Sequence, residues 1–222
     1  LRGKRVFVTG GAGVIGRELI PRLLAHGAHV MVGDLKPKPS EFPARVQYLQ
    51  GDLNHLRQTE FDVFAPDVLI HLAATFERSL ETPGFWDENF QHNVTLTHHC
   101  LTLARDSVSV RRLVFASSYL IYDPSQYSFE MPPDRPVRLS ESDRILPRNL
   151  TGMAKLSGEM ELQFLSSLDG GRFSTLAVRI FRGYGRGSRD VISRRVRALL
   201  HDQPISVFRT EGVFDYLYAA DS

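Results

Sequence analysis

Thr9-Gly10-Gly11-Ala12-Gly13-Val14-Ile15-Gly16 follows an apolar strand pattern, Arg5-Val6-Phe7-Val8, and opens an amphipathic stretch carrying Leu19, Leu23 and Leu24. Glycine meets two needs at such a junction. A tight strand-to-helix turn uses dihedrals that other residues avoid, and a missing side chain lets backbone amides approach an anion. Gly10, Gly13 and Gly16 stand where those needs fall. The helix starting near Gly13 then turns its unpaired amides, Val14 and Ile15 among them, and its positive dipole end toward a phosphate. A second strand pattern, His29-Val30-Met31-Val32-Gly33, ends on Asp34. An acidic residue about 20 residues downstream is placed to accept hydrogen bonds from an adenosine ribose. The run reads as the pyrophosphate site of a dinucleotide.

The 222 residues, 42% hydrophobic and 23% charged, suffice for a sizeable core. One domain, with or without an appendage, is expected. The single cysteine, Cys100, excludes an intrachain disulfide framework and suits a reducing compartment, so a cytoplasmic location is expected. No apolar run approaches the roughly 20 residues that cross a bilayer, and no secretory pattern opens the chain, so no membrane partner is expected. A net charge of +2 is too small to argue for nucleic acid.

Apolar runs alternate with helical periodicity, the pattern of a parallel sheet with helices on both faces. Strands are expected near residues 5–9, 29–33, 45–49, 67–72, 112–117 and 174–180. Helices fit 14–26, 54–64, 86–105, 149–168 and 189–201. Pro21 falls inside the first helix and predicts a bend or loosening there. Residues 123–147, rich in Pro, Ser and charge, read as a long irregular loop over one sheet edge.

The motifs together resemble the extended short-chain dehydrogenase/reductase family, the NAD-dependent epimerase/dehydratase group that acts largely on nucleotide sugars. The resemblance rests on the opening glycine run, Asp34, Gly51-Asp52-Leu53, His71-Leu72-Ala73-Ala74, Asn93-Val94, Phe115-Ala116-Ser117-Ser118, Lys155-Leu156-Ser157-Gly158-Glu159, Arg179 and Tyr184-Gly185. It implies an α/β fold, a doubly wound parallel sheet (Rossmann-like), with residues 1–170 as the NAD-binding domain. Residues 171–222 would hold the last core strand and part of a small C-terminal substrate lobe. The implied cofactor is NAD, held by Gly10, Gly13, Val14, Ile15, Gly16, Asp34, Asp52, Leu53, Ala73, Ala74, Asn93 and Lys155. Asp34 favours NAD over NADP, because a carboxylate repels a 2′-phosphate. Asp52 would accept the adenine amino group and Leu53 would pack on the base. Ala73 and Ala74 are small where the cofactor passes. Ser118, at a strand end, would orient a reacting hydroxyl, and Lys155 would bind the nicotinamide ribose. The implied substrate is a small molecule, a nucleotide sugar, and helices matching 86–105 imply a homodimer through a four-helix interface.

The family pairs this lysine with a tyrosine one helical turn earlier, and position 151 is threonine. An aliphatic hydroxyl is a far weaker acid than a phenol of pKa about 10, and it is shorter. Thr151 therefore stands in the slot of the proton-transferring residue without its chemistry. Three explanations are open: another residue supplies the proton, with Tyr119, Tyr122, Asp123, Glu77 and Tyr184 as candidates; the chain is a catalytically silent NAD-binding protein or subunit; or the threonine is an introduced inactivating change. Tyr119-Leu120 after the serine, where the family's dehydratases carry Asp-Glu, favours an epimerase or simple reductase. On the substrate side, alongside Ser118 and Tyr119, Arg182 replaces an asparagine and Phe214 an arginine of the family pattern. Arg182 would bring a cation close to the substrate's diphosphate. His98, His99 and Cys100 lack ligand spacing, so no metal is expected. The sequence ends inside a family segment and begins without methionine, so a fragment with an incomplete substrate lobe is expected.

Overall fold

Burial on both faces explains why the strands read as unbroken apolar runs rather than alternating ones. Val6, Phe7 and Val8 of β1 (Arg5–Thr9) are all inaccessible to solvent, and β2 (His29–Asp34) repeats the pattern with Val30, Met31 and Val32. The computed structural model describes residues 1–76, 80–129, 133–168, 170–207 and 215–221. With β3 (Gln47–Gln50), β4 (Val68–His71), β5 (Arg112–Ser118) and β6 (Ser174–Ile180), these strands form one parallel sheet ordered β3-β2-β1-β4-β5-β6. On one face Phe7, Met31, Leu69, Leu113 and Phe115 pack with side chains of α2 (Gln58–Phe64), α4 (Leu96–Asp106) and α5 (Leu150–Leu168). On the other, Val6, Val8, Val30 and Val32 meet Ile20 and Leu23 of α1 (Val14–Ala25). The expected doubly wound α/β sheet is what the chain forms. Strand order reverses between β1 and β4, so the crevice for a ligand lies over the carboxyl ends of those two strands.

Several details differ from the expectations. The helix read as 86–105 starts earlier, at α3 (Pro83–Asn89), where Thr82 accepts a hydrogen bond from the Phe85 amide, and passes through a π-helical turn (Phe90–Thr95) into α4. The helix read as 54–64 is a 3-10 turn, Leu53–His55, capped by Asp52, followed by α2. The edge strand β3 is two residues shorter at its start than expected. Through Pro21, α1 continues to Ala25. Its ring costs α1 only the amide that would reach the Arg17 carbonyl. A second, two-stranded sheet joins β7 (Arg182–Tyr184) to β8 (Tyr216–Tyr218) in parallel, before and after α6 (Val191–Leu200). Three-residue strands carry too little periodicity to be seen in a sequence.

The largely irregular segment after β5 is tied back to the turn that follows Ser118. A 3-10 turn, Tyr119–Ile121, follows Ser118, and the returning chain donates from Leu146 to the Ile121 carbonyl (3.0 Å) and from Arg148 to the Leu120 carbonyl (2.9 Å). The first turn of α5 then lies directly on Leu120: a Cβ at Gly152 would collide with the Leu120 carbonyl. Gly152→Ala is therefore expected to destabilise the protein by about 1–3 kcal/mol, since backbone rather than a flexible side chain must give way. Urea unfolding measures it.

Candidate active site at the carboxyl ends of the strands

Gly10 has φ +70°, and a Cβ there would lie 2.6 Å from the Ala73 amide nitrogen, so the loop after β1 touches the end of β4 backbone to backbone. Gly13 is the N-cap of α1 and offers no side-chain cap, and the first turn carries no acidic residue. The leading amides of α1, at Val14 and Ile15, thus open toward the crevice with the helix dipole behind them. Gly16 is packed against Gly11, where a Cβ would overlap the Gly11 backbone. The four-residue opening has the form of an anion cradle.

Asp34, at the end of β2 and 9% exposed, accepts the Ala12 amide on Oδ2 (2.9 Å) and the Lys36 amide on Oδ1 (2.9 Å). Both oxygens are oriented and each keeps a lone pair for a ribose hydroxyl. Asp52 caps the turn after β3 through Asn54 (2.9 Å). Leu53 is buried beneath Gly33, where a Cβ would meet it at 2.6 Å, so its bulk belongs to the core at this edge. Asn93 is buried too. It accepts the Thr75 amide (2.7 Å) and donates to Asn89 (2.7 Å) and the Thr75 carbonyl (3.3 Å), so it fixes the loop that carries Ala73 and Ala74.

Beneath that loop runs a buried relay that centres on His71. Thr97 donates to the Asn93 carbonyl (2.6 Å), which leaves its oxygen to accept from His71 Nε2 (3.0 Å). The Ala73 amide donates to Thr9 Oγ1 (3.2 Å), whose own proton goes to His71 Nδ1 (2.6 Å). The order of donors fixes the tautomer with the proton on Nε2. Burial, with the nearby positive charge of Lys155 as a smaller cause, pulls His71 down to about 3.

On the other side of the crevice, β5 delivers Ser117 and Ser118 to opposite faces. Ser117 donates to Glu159, which also receives Arg179 (2.8 Å), and Arg179 donates to the Tyr122 hydroxyl (3.0 Å). Ser118 Oγ accepts the Leu120 amide (3.2 Å), leaving its own proton to donate. Lys155 and Thr151 lie one turn apart on α5 and are 8% and 6% exposed. Among the described residues no acceptor or carboxylate meets Lys155; its ammonium lies 4.8 Å from the centroid of the Phe115 ring. Burial lowers it to about 8. Thr151 Oγ1 is sealed from solvent and, among the described residues, has no hydrogen-bond partner. The first turn of α5 is clamped from α3 and the loop before it: Glu81 accepts the Leu150 amide (2.7 Å) and Asn89 donates to the Leu150 carbonyl (3.2 Å). Sequence reasoning missed Glu81, Asn89 and the role of His71, because only the fold brings them together.

Tyr119 is buried in an aromatic cluster, stacked on Phe181 (5.4 Å) and edge-on to Tyr127 (5.4 Å). Arg182 stands opposite Tyr216 in the β7–β8 pair. Burial opposes its charge, but the hydroxyls of Tyr119 and Tyr216 hold it above its usual range. Glu77 and Phe214 lie outside the described residues. Among the described residues no three His, Cys, Asp or Glu side chains gather as metal ligands, and no helix is long and apolar enough to cross a membrane. The groups at the crest fit a dinucleotide: a capless helix start, a fixed carboxylate and a buried cation with its donors unspent.

A crevice of this kind, at the switch point of a doubly wound sheet, is where such folds bind nucleotides. The family model for the NAD dependent epimerase/dehydratase family matches residues 6–222, and the chain belongs to that family. The dTDP-4-dehydro-6-deoxyglucose reductase of Escherichia coli is 26% identical over 99% of this chain and 70% of its own length. A UDP-glucose 4-epimerase of Halalkalibacterium halodurans is 31% identical over 69% of this chain and 44% of its own. Among solved structures, MoeE5 in complex with UDP-glucuronic acid and NAD superposes with a TM-score of 0.80 at 27% identity, covering 97% of this chain and 68% of that one.

Proposed function

We propose that the protein carries out NAD-dependent epimerase- or reductase-type chemistry on a nucleotide-linked sugar. The observation that carries the proposal is the crest itself, where the fixed Asp34 holds the loop before the capless start of α1, and Lys155 beside Phe115 and His71 meets no acceptor among the described residues. When bound, NAD supplies the acceptor and donor for a hydride. The protein's own residues do the rest. The amides of Val14 and Ile15 hold the pyrophosphate, and Asp34 holds the adenosine ribose and excludes a 2′-phosphate. Ser118 donates to and orients the reacting sugar oxygen, and Lys155 faces the nicotinamide ribose. The small β7–β8 sheet and α6 form part of the substrate side, with Arg182 and Tyr119 as its polar groups.

Asp34→Ser is expected to weaken NAD binding by about 1.5–3 kcal/mol, the worth of hydrogen bonds to a charged acceptor, and to narrow the gap to NADP. Calorimetric titration with both cofactors measures it. The second reading, binding without turnover, is favoured by Thr151, whose sealed hydroxyl does not do the work of a phenol. Addition of UDP- and dTDP-linked sugars to the NAD-loaded protein separates the readings through the reduced-nicotinamide absorbance. Exposed Phe90, Met160 and Phe164 along α3–α4 and α5 support a homodimer through these helices, which sedimentation tests, and a cytoplasmic setting agrees with the lone buried Cys100.

A further inference from the structure

We propose that Lys155 itself takes up and returns the proton of the reacting sugar hydroxyl, because it is the buried ionisable side chain at this crest whose donors are unspent. The inference rests on the nucleotide-sugar reading and adds the identity of the proton-transfer group.

Among the described residues most of the other candidates are committed elsewhere; Tyr122 takes Arg179 at its hydroxyl (3.0 Å) and Asp123 pairs with Arg144 (3.1 Å). Both ring nitrogens of His71 are engaged, with Thr9 and Thr97. Glu159, one turn beyond Lys155 on α5, is held by Arg179 and Ser117. Asp34 and Asp52 lie across the crest on the β2–β3 side and hold backbone amides. Tyr119 is packed between Phe181 and Tyr127 with Arg182 at its hydroxyl. Thr151 Oγ1 is closed to solvent, so neither water nor a sugar oxygen reaches it.

Lys155 differs on every count. The groups that face it are the Phe115 ring from β5 and the neutral His71 from β4, and neither is a carboxylate. An ammonium in an apolar setting without a counter-charge gives up its proton more readily, and burial brings this one to about 8. A group near the working pH serves as base in one direction and acid in the other. In the oxidative direction the sugar O–H bond breaks and its proton passes to the neutral Nζ. The carbon–oxygen double bond would form as the C–H electron pair left as a hydride, for which NAD, when bound, would supply the acceptor. The return reverses both transfers.

Two measurements test this. In the ligand-free protein labelled with ¹³C-lysine, the Lys155 signal, identified by its loss in Lys155→Met, is expected to titrate near 8; a midpoint at the usual 10.5 overturns the inference. In single-turnover reduction of NAD by a UDP-linked sugar, the rate is expected to rise with pH through the same midpoint. Lys155→Arg, which keeps the charge but holds its proton, is expected to retain NAD and lose about 10²–10⁴-fold in rate. A rate within tenfold of the unaltered protein overturns the inference alone. So does a pH dependence that disappears in Tyr119→Phe and survives in Lys155→Arg. An unaltered protein that reduces no NAD with any sugar overturns the nucleotide-sugar reading and this inference with it.

Discussion

Lys155→Met is expected to stabilise the ligand-free protein by about 3 kcal/mol while abolishing hydride transfer. The burial that lowers Lys155 from 10.5 to about 8 is a cost the folded state carries whenever the side chain is charged. A shift of that size corresponds to roughly 3 kcal/mol. Methionine fills a similar length of apolar slot against Phe115 without the charge. The folded pKa lies below the unfolded one, so the unfolded chain binds more protons between the two values. The penalty is therefore full below about 8 and fades as pH rises to 10.5. Urea unfolding at neutral and at alkaline pH is expected to show a large gap between the two proteins that closes in alkali. A methionine variant less stable than the unaltered protein at neutral pH would contradict this account of the site.

The second large effect runs in the acid direction. His71 is neutral in the folded protein, at about 3, and returns to an ordinary value of 6.5 when the chain unfolds. The unfolded state thus takes up a proton as pH falls below 6.5, and the contribution is present in full only above that value. A shift of this size amounts to about 5 kcal/mol, lost progressively as pH falls toward 3. Since the same ring ties Thr9 and, through Thr97, Asn93 to the loop of Ala73, cofactor retention is expected to fall along with stability. Unfolding midpoints and NAD affinity between pH 7 and pH 4 measure both. In His71→Phe, which holds no titrating group, the protein is weaker at neutral pH but its stability depends less steeply on pH. An unchanged slope would remove His71 as the source.

What sequence shows and what it hides differ in a physical way along this chain. The glycine run is legible because a backbone need selects one residue type, and Gly10 does have the positive φ and the close approach to Ala73 that the turn requires. The central strands β1, β2, β4 and β5 are legible because burial on both faces leaves apolar runs, whereas the edge strands β3 and β6 are only partly buried. The β7–β8 pair is not, since three residues carry no period, and the π turn of Phe90–Thr95 is hidden inside an otherwise regular helical pattern. In the site, the identities of Ser118, Lys155 and Thr151 were readable by position, but their circumstances were not. The first turn of α5, which carries Thr151, is held by Leu120, Glu81 and Asn89, which come from three other segments. The Asn93 side chain ties the loop at Thr75, a contact that sequence alone does not show.

The most direct test of the central proposal follows NAD reduction at the nicotinamide band after UDP- or dTDP-linked sugars meet the NAD-loaded full chain. The account predicts transient or stoichiometric reduction that Lys155→Arg suppresses and Asp34→Ser weakens only through cofactor affinity. Tight binding of both NAD and sugar nucleotide with no reduction at any pH would contradict it.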